Sequence, residues 1–292
     1  MIIIVCNLCP RACGVDRASR RGVCGEGALP RVAKIMLHRW EEPCVCGEGG
    51  AGAIFFSGCS LRCVYCQNAA VSRGEVGEEY SPAALADAML ALQARGADCV
   101  DLVTPTHFAD GVIKAVDLAK RNGLRLPIVW NTSGYETVEA VAKLDGVADV
   151  YLTDFKYASP ALAEKYSAAP DYPAAALAAL KVMVAQTGAP RYENGLMKRG
   201  VIMRHLVLPG AWRDSAEVLR LAADAVGAEN VALSLMAQYT PDFLREREKF
   251  PELCRRITTY EYNKAAEEAE KLGFDGYFQE REAATPDFTP EF

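Results

Sequence analysis

Short apolar runs that alternate with helical segments from residue 53 onward constrain the fold of this chain more than any other feature. Strands separated by helices of this length form βαβ units and a parallel sheet, so the pattern predicts an α/β fold, a partial (β/α)6 barrel. The predicted strands are Ala53–Phe56, Cys99–Val103, Pro127–Trp130, Val150–Thr153, Val201–Val207 and Val231–Leu235. The predicted helices are Asp110–Asn122, Thr137–Leu144, Pro173–Thr187 and Ser215–Val226, one that begins at Ser81-Pro82, and a last one from Thr258 to Gly273.

Two of these helices carry clear start signals. Ser81-Pro82 is an N-cap followed by proline at the first helical position. Thr258-x-x-Glu261 has the pattern of a capping box. The sequence therefore predicts a Cys-rich, metal-stapled extension at 1–50, the barrel at 51–240, and a C-terminal helical segment packing on the barrel at 241–292.

Three cysteines follow the first predicted strand with the spacing C-x3-C-x2-C: Cys59, Cys63 and Cys66. Structural iron–sulfur clusters normally take four cysteines, so a dedicated triplet predicts a [4Fe–4S] cluster with one open iron. The alternative is a zinc site completed by a distant ligand, but zinc ribbons usually use paired C-x2-C hooks. Ligands of parallel α/β folds bind at the carboxyl ends of strands, which favours the open cluster.

This spacing, with the aromatic Tyr65 just before the third cysteine, resembles the signature of the radical S-adenosylmethionine (SAM) superfamily. More narrowly, the chain is similar to pyruvate formate-lyase-activating-enzyme-like proteins, including a branch with an N-terminal Cys-rich segment. The similar stretches are Cys6–Cys13, Phe55–Cys59, Leu102–His107, Asn131–Gly134, Leu152–Lys156, Arg204–Gly210 and Ser234–Tyr239.

The resemblance implies that SAM binds the open iron and that an electron donor such as flavodoxin or ferredoxin reduces the cluster. SAM would then be cleaved to a 5′-deoxyadenosyl radical that abstracts hydrogen, with the protein positioning the reacting atoms. The leading expectation is installation of a glycyl radical on a protein partner. The alternatives are radical modification of a small molecule or peptide and, from another class, an iron–sulfur electron carrier or a zinc-binding interaction protein.

Polar residues at the predicted strand ends are the expected cofactor contacts. Thr104 and Thr106 stand where the family usually carries Gly-Gly-Glu, and His107 either contacts the cofactor or caps the next helix. Asn131 and Ser133 resemble the ribose-contacting strand end, although these residue types also favour turns.

Charged residues continue this pattern on the later strands. Asp154 and Lys156 match an Asp-x-Lys motif, and strand alternation puts both on one face. An isolated buried pair would be destabilising without a function. Arg204 is in register with the family's inward arginine, and Gln238 stands where many activating enzymes carry histidine. With Tyr65, these residues complete the predicted set.

A second metal site is predicted at the N-terminus. Cys6, Cys9, Cys13 and Cys24 offer four thiolates for one zinc ion or one auxiliary iron–sulfur cluster, and Cys44 or Cys46 is an alternative ligand. A structural staple is favoured over an electron relay. The isolated Cys99 and Cys254 are predicted to be small buried hydrophobic residues.

Composition excludes several function classes. The net charge of −6 argues against a nucleic-acid partner, and no apolar run approaches the ~20 residues of a membrane span. The opening Met1–Val5 has no basic region and is too short for a secretory signal, so we expect a cytoplasmic protein. In a reducing compartment, eleven cysteines indicate metal binding rather than disulfides.

Overall fold

The structure, a computed structural model, describes residues 6–279 and 292. The strands are β1 (Arg31–His38), β2 (Ala51–Phe56), β3 (Glu78–Glu79), β4 (Cys99–Val103), β5 (Ile128–Thr132), β6 (Val150–Asp154), β7 (Arg191–Glu193), β8 (Leu196–Leu206), β9 (Ala232–Met236) and β10 (Gly276–Phe278). The helices are α1 (Ala69–Ser72), α2 (Pro82–Ala94), α3 (Ala109–Arg121), α4 (Val138–Ala142), α5 (Pro160–Ser167), α6 (Tyr172–Thr187), α7 (Trp212–Val226) and α8 (Thr259–Leu272).

One mostly parallel sheet organises the described residues. Its strand order is β10-β9-β8-β6-β5-β4-β2-β1-β3, and every neighbouring pair from β2 to β10 is parallel. β1 is antiparallel to β2, β3 is antiparallel to β1, and β7 pairs antiparallel with β8. The six predicted strands are therefore neighbours in chain order, which confirms an α/β fold with a mostly parallel sheet.

Alternation along the strands separates two apolar clusters on the two faces of the sheet. The inner cluster takes one or two side chains from each of several strands, among them Ala51, Cys99, Val129, Val150 and Ile202. The outer cluster joins the other strand positions to the helices, which pack in a layer on that face. Residues such as Asn131, Asp154 and Arg204 continue the inward series and so face the interior at the carboxyl ends of their strands.

The N-terminal fifty residues differ from the prediction, and a separate extension is not confirmed. Part of this region, β1, joins the barrel sheet. The loop that follows it fills the amino-terminal end of the barrel, where Cys44 and Val45 belong to the inner cluster. The Met197 amide donates to the Cys44 carbonyl at 2.7 Å, and Cys99 Sγ donates to the Val45 carbonyl at 3.2 Å.

The helix start signals are confirmed at both places. Ser81 Oγ accepts from the Ala84 amide at 3.2 Å, and Thr258 and Glu261 form the reciprocal capping box of α8.

α8 packs on α7, and β10 then adds to the sheet beside β9. Of the predicted C-terminal segment, residues 280–291 lie outside the described part of the chain. The helices that the structure describes include none with the length and apolar character needed to cross a bilayer.

Candidate active site

A cavity of about 240 Å³ opens at the carboxyl ends of the barrel strands. Cys59, Cys63 and Cys66 line it together with most of the polar residues expected there. Those polar residues are Tyr65, Thr104, Asn131, Ser133, Asp154, Lys156, Arg204 and Gln238. Thiols and charged strand-end side chains, which are separated by up to 179 positions in sequence, thus share one cavity.

The cysteine loop packs tightly against the N-terminal segment. Gly58 has φ +80°, and a Cβ there would lie 2.7 Å from the Cys24 carbonyl oxygen, so the close approach requires glycine. Arg11 Nε donates to the Ser60 carbonyl at 2.9 Å. On the other side, the Val64 amide donates to the Tyr166 carbonyl at 2.9 Å. The loop is therefore held from both sides.

The three thiols suit a cluster better than free cysteines. Burial raises the pKa of Cys59 to about 12, and burial followed by the neighbouring Cys63 raises the pKa of Cys66. Such thiols stay protonated unless a cation replaces the proton. Ser167 Oγ donates to Cys63 Sγ at 3.0 Å and the Leu61 amide to Cys59 Sγ at 3.4 Å, as the sulfurs of bound thiolates require.

Within residues 6–279, no three His, Cys, Asp or Glu side chains converge on a single ion position. This arrangement does not conflict with a cubane, in which each thiolate would bind a different iron. The thiol set therefore fits a [4Fe–4S] group.

A partly buried ionic network lies beside the thiols. Lys156 Nζ is 2.6 Å from Asp154 Oδ2, and Arg204 Nε is 2.8 Å from Asp154 Oδ1. The same guanidinium donates to Asn131 Oδ1 at 2.8 Å and to Glu41 Oε1 at 3.2 Å. One arginine thus joins residues of β5, β6 and β8 to a carboxylate from the loop after β1.

The network keeps Asp154 ionised. Burial opposes its charge, but Arg204 and Lys156 together hold the pKa of this carboxyl below its usual value. The pKa of Lys156 is correspondingly raised, since Asp154 outweighs the effect of burial. Both cations remain charged and face the cavity.

Further acids lie beneath the cavity. Burial, and then the charge of Glu41, raise the pKa of Glu42 to about 7, and Ser234 Oγ donates to Glu42 at 2.9 Å. Asp101 is fully buried on β4, and burial and Glu41 raise its pKa as well. Sequence reasoning missed Glu41, Glu42 and Asp101. Only Asp101 gave a signal, as a charge within an apolar strand.

Thr106 and His107 lie outside the cavity lining. Thr106 Oγ1 accepts from Trp130 Nε1 at 3.0 Å in the outer core. His107 is buried, burial lowers its pKa to about 4, and its neutral ring donates from Nε2 to the Ser57 carbonyl at 2.7 Å. Both positions correspond to structural roles, so we leave both residues out of the cofactor contacts.

Arg204 and His205 point to opposite faces of β8, as alternation predicts. Arg204 lines the cavity, whereas His205 packs on the outer face with Nδ1 2.7 Å from the Phe155 carbonyl. Burial lowers the pKa of His205 to about 4, so this histidine is neutral.

The four N-terminal thiols lie in the same described segment, although no three of them converge on a single ion position. A Cβ built on Gly22 would lie 3.1 Å from Cys13 Sγ and 3.6 Å from Cys24 Sγ. Burial raises the pKa of Cys9 to about 12, with smaller contributions from Cys24 and Cys6, which lie near enough to act on it.

The other cysteines are elsewhere. Cys44 and Cys46 lie at the amino-terminal end of the barrel, so the option that either completes the Cys6–Cys24 set is wrong. Cys99 is buried there as predicted, but Cys254 is exposed, and the prediction of a buried residue fails because it ends a short turn on the surface.

Comparisons with known proteins agree with the cysteine signature. Residues 53–186 match the model of the Radical SAM superfamily, so this part of the chain is a Radical SAM domain. An uncharacterised protein of Methanocaldococcus jannaschii is 29% identical over 280 residues, covering 92% of this chain and 75% of that protein. A 2,3-dimethylmalate lyase of the PEP mutase/isocitrate lyase superfamily is 16% identical, with a TM-score of 0.32, covering 68% of this chain and 72% of that chain. A likeness this weak carries no argument about function.

A Radical SAM domain implies an enzyme that uses a [4Fe–4S] cluster, SAM and a reductant.

Proposed function

We propose that Cys59, Cys63 and Cys66 hold the [4Fe–4S] cluster and that the adjoining cavity binds SAM. The bound cluster and SAM supply the chemistry, a reductive cleavage that yields a 5′-deoxyadenosyl radical. The observation that carries this proposal is the shared cavity: three partly buried thiols border a set of charged strand-end side chains. An electron carrier or a zinc-binding interaction protein would need no such polar pocket beside its metal.

The charged residues have complementary roles in this proposal. Arg204 and Lys156 offer donors to a carboxylate, and Asp154 and Glu41 offer acceptors to an ammonium group. The methionine end of SAM carries both groups. Thr104, Asn131, Ser133 and Gln238 also border the cavity and are the proposed contacts to the remaining polar atoms, while Tyr65, whose hydroxyl is bonded to Tyr157, would contribute its ring.

The proposed substrate is a glycine of a protein partner, which would receive a glycyl radical. Similarity of the motif stretches to activating enzymes supports it, and so does an open barrel. In the described part of the chain, β10 and β3 form the two edges of the sheet rather than closing on each other. Lateral access for a polypeptide loop requires an open barrel of this kind. A small molecule or peptide remains the alternative substrate.

We further propose that Cys6, Cys9, Cys13 and Cys24 bind a second metal, zinc or an auxiliary iron–sulfur cluster. The proximity of Cys13 Sγ and Cys24 Sγ to Gly22 supports it, and the charge of Arg17 partly offsets the burial that raises the pKa of Cys24. Because Arg11 of this segment donates to Ser60 in the cysteine loop, the second metal would also steady the cluster.

The test uses anaerobically reconstituted full-length protein with a strong reductant. We expect conversion of SAM to 5′-deoxyadenosine and methionine, measured by chromatography. Cys59→Ala, Cys63→Ala and Cys66→Ala should each abolish it, because too few thiolates remain for the cubane. Cys254→Ala is the matched control, since that exposed thiol lies outside the cavity lining. Full cleavage by any of the three variants refutes the ligand assignment.

The substrate is tested separately. A glycyl radical enzyme encoded beside this chain, mixed with the reconstituted protein and SAM, should show a glycyl radical by electron paramagnetic resonance. SAM cleavage without such a signal, but with consumption of a small molecule or peptide, would replace the protein substrate and keep the radical chemistry.

A further inference from the structure

Three buried hydroxyl groups connect to the sulfur of Cys63 in a single row. Tyr65 Oη is 2.5 Å from Tyr157 Oη, which is 2.9 Å from Ser167 Oγ. Ser167 Oγ is in turn 3.0 Å from Cys63 Sγ. All three hydroxyl-bearing residues are buried, so the row is shielded from solvent.

Distances alone do not say which hydroxyl donates to which. The direction follows once Cys63 binds iron, because a ligating thiolate has no proton and only accepts. Ser167 then uses its one hydroxyl proton on the sulfur, and its oxygen accepts from Tyr157. Tyr157 donates its own hydroxyl proton to Ser167, so the Tyr157 oxygen accepts from Tyr65.

We propose that this row, Tyr65 to Tyr157 to Ser167 to Cys63, is a directed hydrogen-bond chain that raises the reduction potential of the cluster. It rests on the proposed role of Cys63 as a cluster ligand. Reduction adds one electron and breaks no bond, and the extra negative charge strengthens a hydrogen bond donated to the sulfur. Hydrogen bonds to cluster sulfurs are among the factors that set these potentials. Hydroxyls aligned in one direction also polarise one another, so the distant phenols contribute through Ser167.

The backbone fixes the position of the donor. Ser167 is the last residue of α5, and Ala168 follows it with φ +48°, which ends the helix. Arg11 Nη2 donates to the Ser167 carbonyl at 2.8 Å, and the Val64 amide donates to the preceding carbonyl, that of Tyr166, at 2.9 Å. The hydroxyl is therefore held toward the cysteine loop from both directions. Arg11 and Val64 are therefore positioning residues, which act on the cluster only through the hydroxyl of Ser167.

The test is a mediated redox titration of the reconstituted full-length protein without SAM, followed by electron paramagnetic resonance. In Ser167→Ala, we expect the ratio of reduced to oxidised cluster at a fixed potential to fall about ten-fold, which is about 59 mV for a one-electron couple. Tyr157→Phe should lower the ratio about two-fold, because it only weakens the remaining donor. Ser167→Thr keeps a hydroxyl and should restore the wild-type potential.

Tyr166→Phe is the matched control. Its ring packs against Tyr65 and Tyr157, but its hydroxyl donates to Glu252 at 2.8 Å and takes no part in the hydrogen bonds that lead to Cys63. We expect an unchanged potential. A second readout is the hyperfine coupling of an exchangeable proton at the reduced cluster, which should be lost in Ser167→Ala and kept in Ser167→Thr.

An unchanged potential in Ser167→Ala with full iron content would overturn the proposal. If that variant retains no cluster, Tyr157→Phe decides, and an unchanged or raised potential there overturns it equally. Failure of the enzyme function is distinguishable, since wild-type protein would then bind the cluster but leave SAM intact, while the variants would still show the shifts in potential. Wild-type protein that binds no cluster through Cys63 would refute both proposals.

Discussion

Glu136 should make the protein less stable as the pH rises toward neutrality. This carboxyl follows β5 and is 5% exposed. It accepts from Thr132 Oγ1, while its Oε2 atom has no hydrogen-bond partner among the described residues. Burial raises its pKa from 4.5 to about 7. The folded chain therefore keeps a proton that the unfolded chain has already released.

The sign and size of the effect follow from linkage. Between pH 4.5 and about 7 the folded state binds more protons, so the free energy of unfolding falls as the pH rises. This contribution of Glu136 to the free energy of unfolding is fully lost above about pH 7. Each pKa unit corresponds to about 1.4 kcal/mol, so the shift amounts to about 3 kcal/mol.

Glu136→Gln removes the ionisation and keeps the shape. Relative to wild type, the variant should gain about 3 kcal/mol of stability between pH 4.5 and pH 8, on top of a constant loss of about 1 kcal/mol from altered hydrogen bonding. Urea unfolding at four pH values measures this difference. Glu139→Gln, an exposed carboxylate three residues later, is the control and should show no comparable gain. A difference between Glu136→Gln and wild type that stays constant with pH would refute the reasoning.

Two other predictions concern the cavity and the N-terminal thiols. Asp154→Asn and Lys156→Met should each raise the dissociation constant for SAM roughly ten- to a hundred-fold, because a charge-assisted hydrogen bond contributes about 1.5–3 kcal/mol. Calorimetric titration with a parallel thermal melt checks it, and normal affinity with a lowered melting temperature would mean that the charges only pair with each other. Replacing Cys9 and Cys13 together by serine should lower the metal content and the melting temperature while the spectrum of the [4Fe–4S] cluster persists. Elemental analysis checks this, and an unchanged metal content would exclude a site built on these thiols.

The barrel strands were predictable because each is a short, mostly apolar run. The observed ends lie within two residues of the predicted ones, except at β8, which begins five residues earlier than predicted. Its first part, including Arg199, pairs with β7 and is only partly buried, so no apolar run marks it. β1 was missed for the same reason. It lies near the edge of the sheet, where most of its side chains are half-buried.

The candidate site was predictable where local spacing or strand alternation sets the geometry. The thiols share one loop, and Asn131, Asp154 and Arg204 continue the inward series of their strands. Alternation fails after β4, because Thr104 has φ +59° and the chain turns at once into a short helix at Thr106–Phe108. That reversal carries Thr106 and His107 to the outer core.

Glu41 shows what sequence alone could not reveal. It reaches the cavity only because the loop after β1 folds into the barrel, a long-range contact that no local pattern encodes.

The ionic network indicates what kind of ligand the cavity accepts. Buried ion pairs contribute little to stability relative to apolar side chains, so such a network is better explained by binding than by folding. Arg204 divides its donors between Asp154 and Glu41, which leaves two carboxylates competing for one guanidinium. A zwitterion would relieve this competition, because its ammonium group would replace the guanidinium at one carboxylate while its own carboxylate takes the freed donors. Such an exchange leaves the buried net charge unchanged, whereas a purely anionic or cationic ligand would add an uncompensated charge. The amino and carboxylate groups of SAM form such a pair of opposite charges.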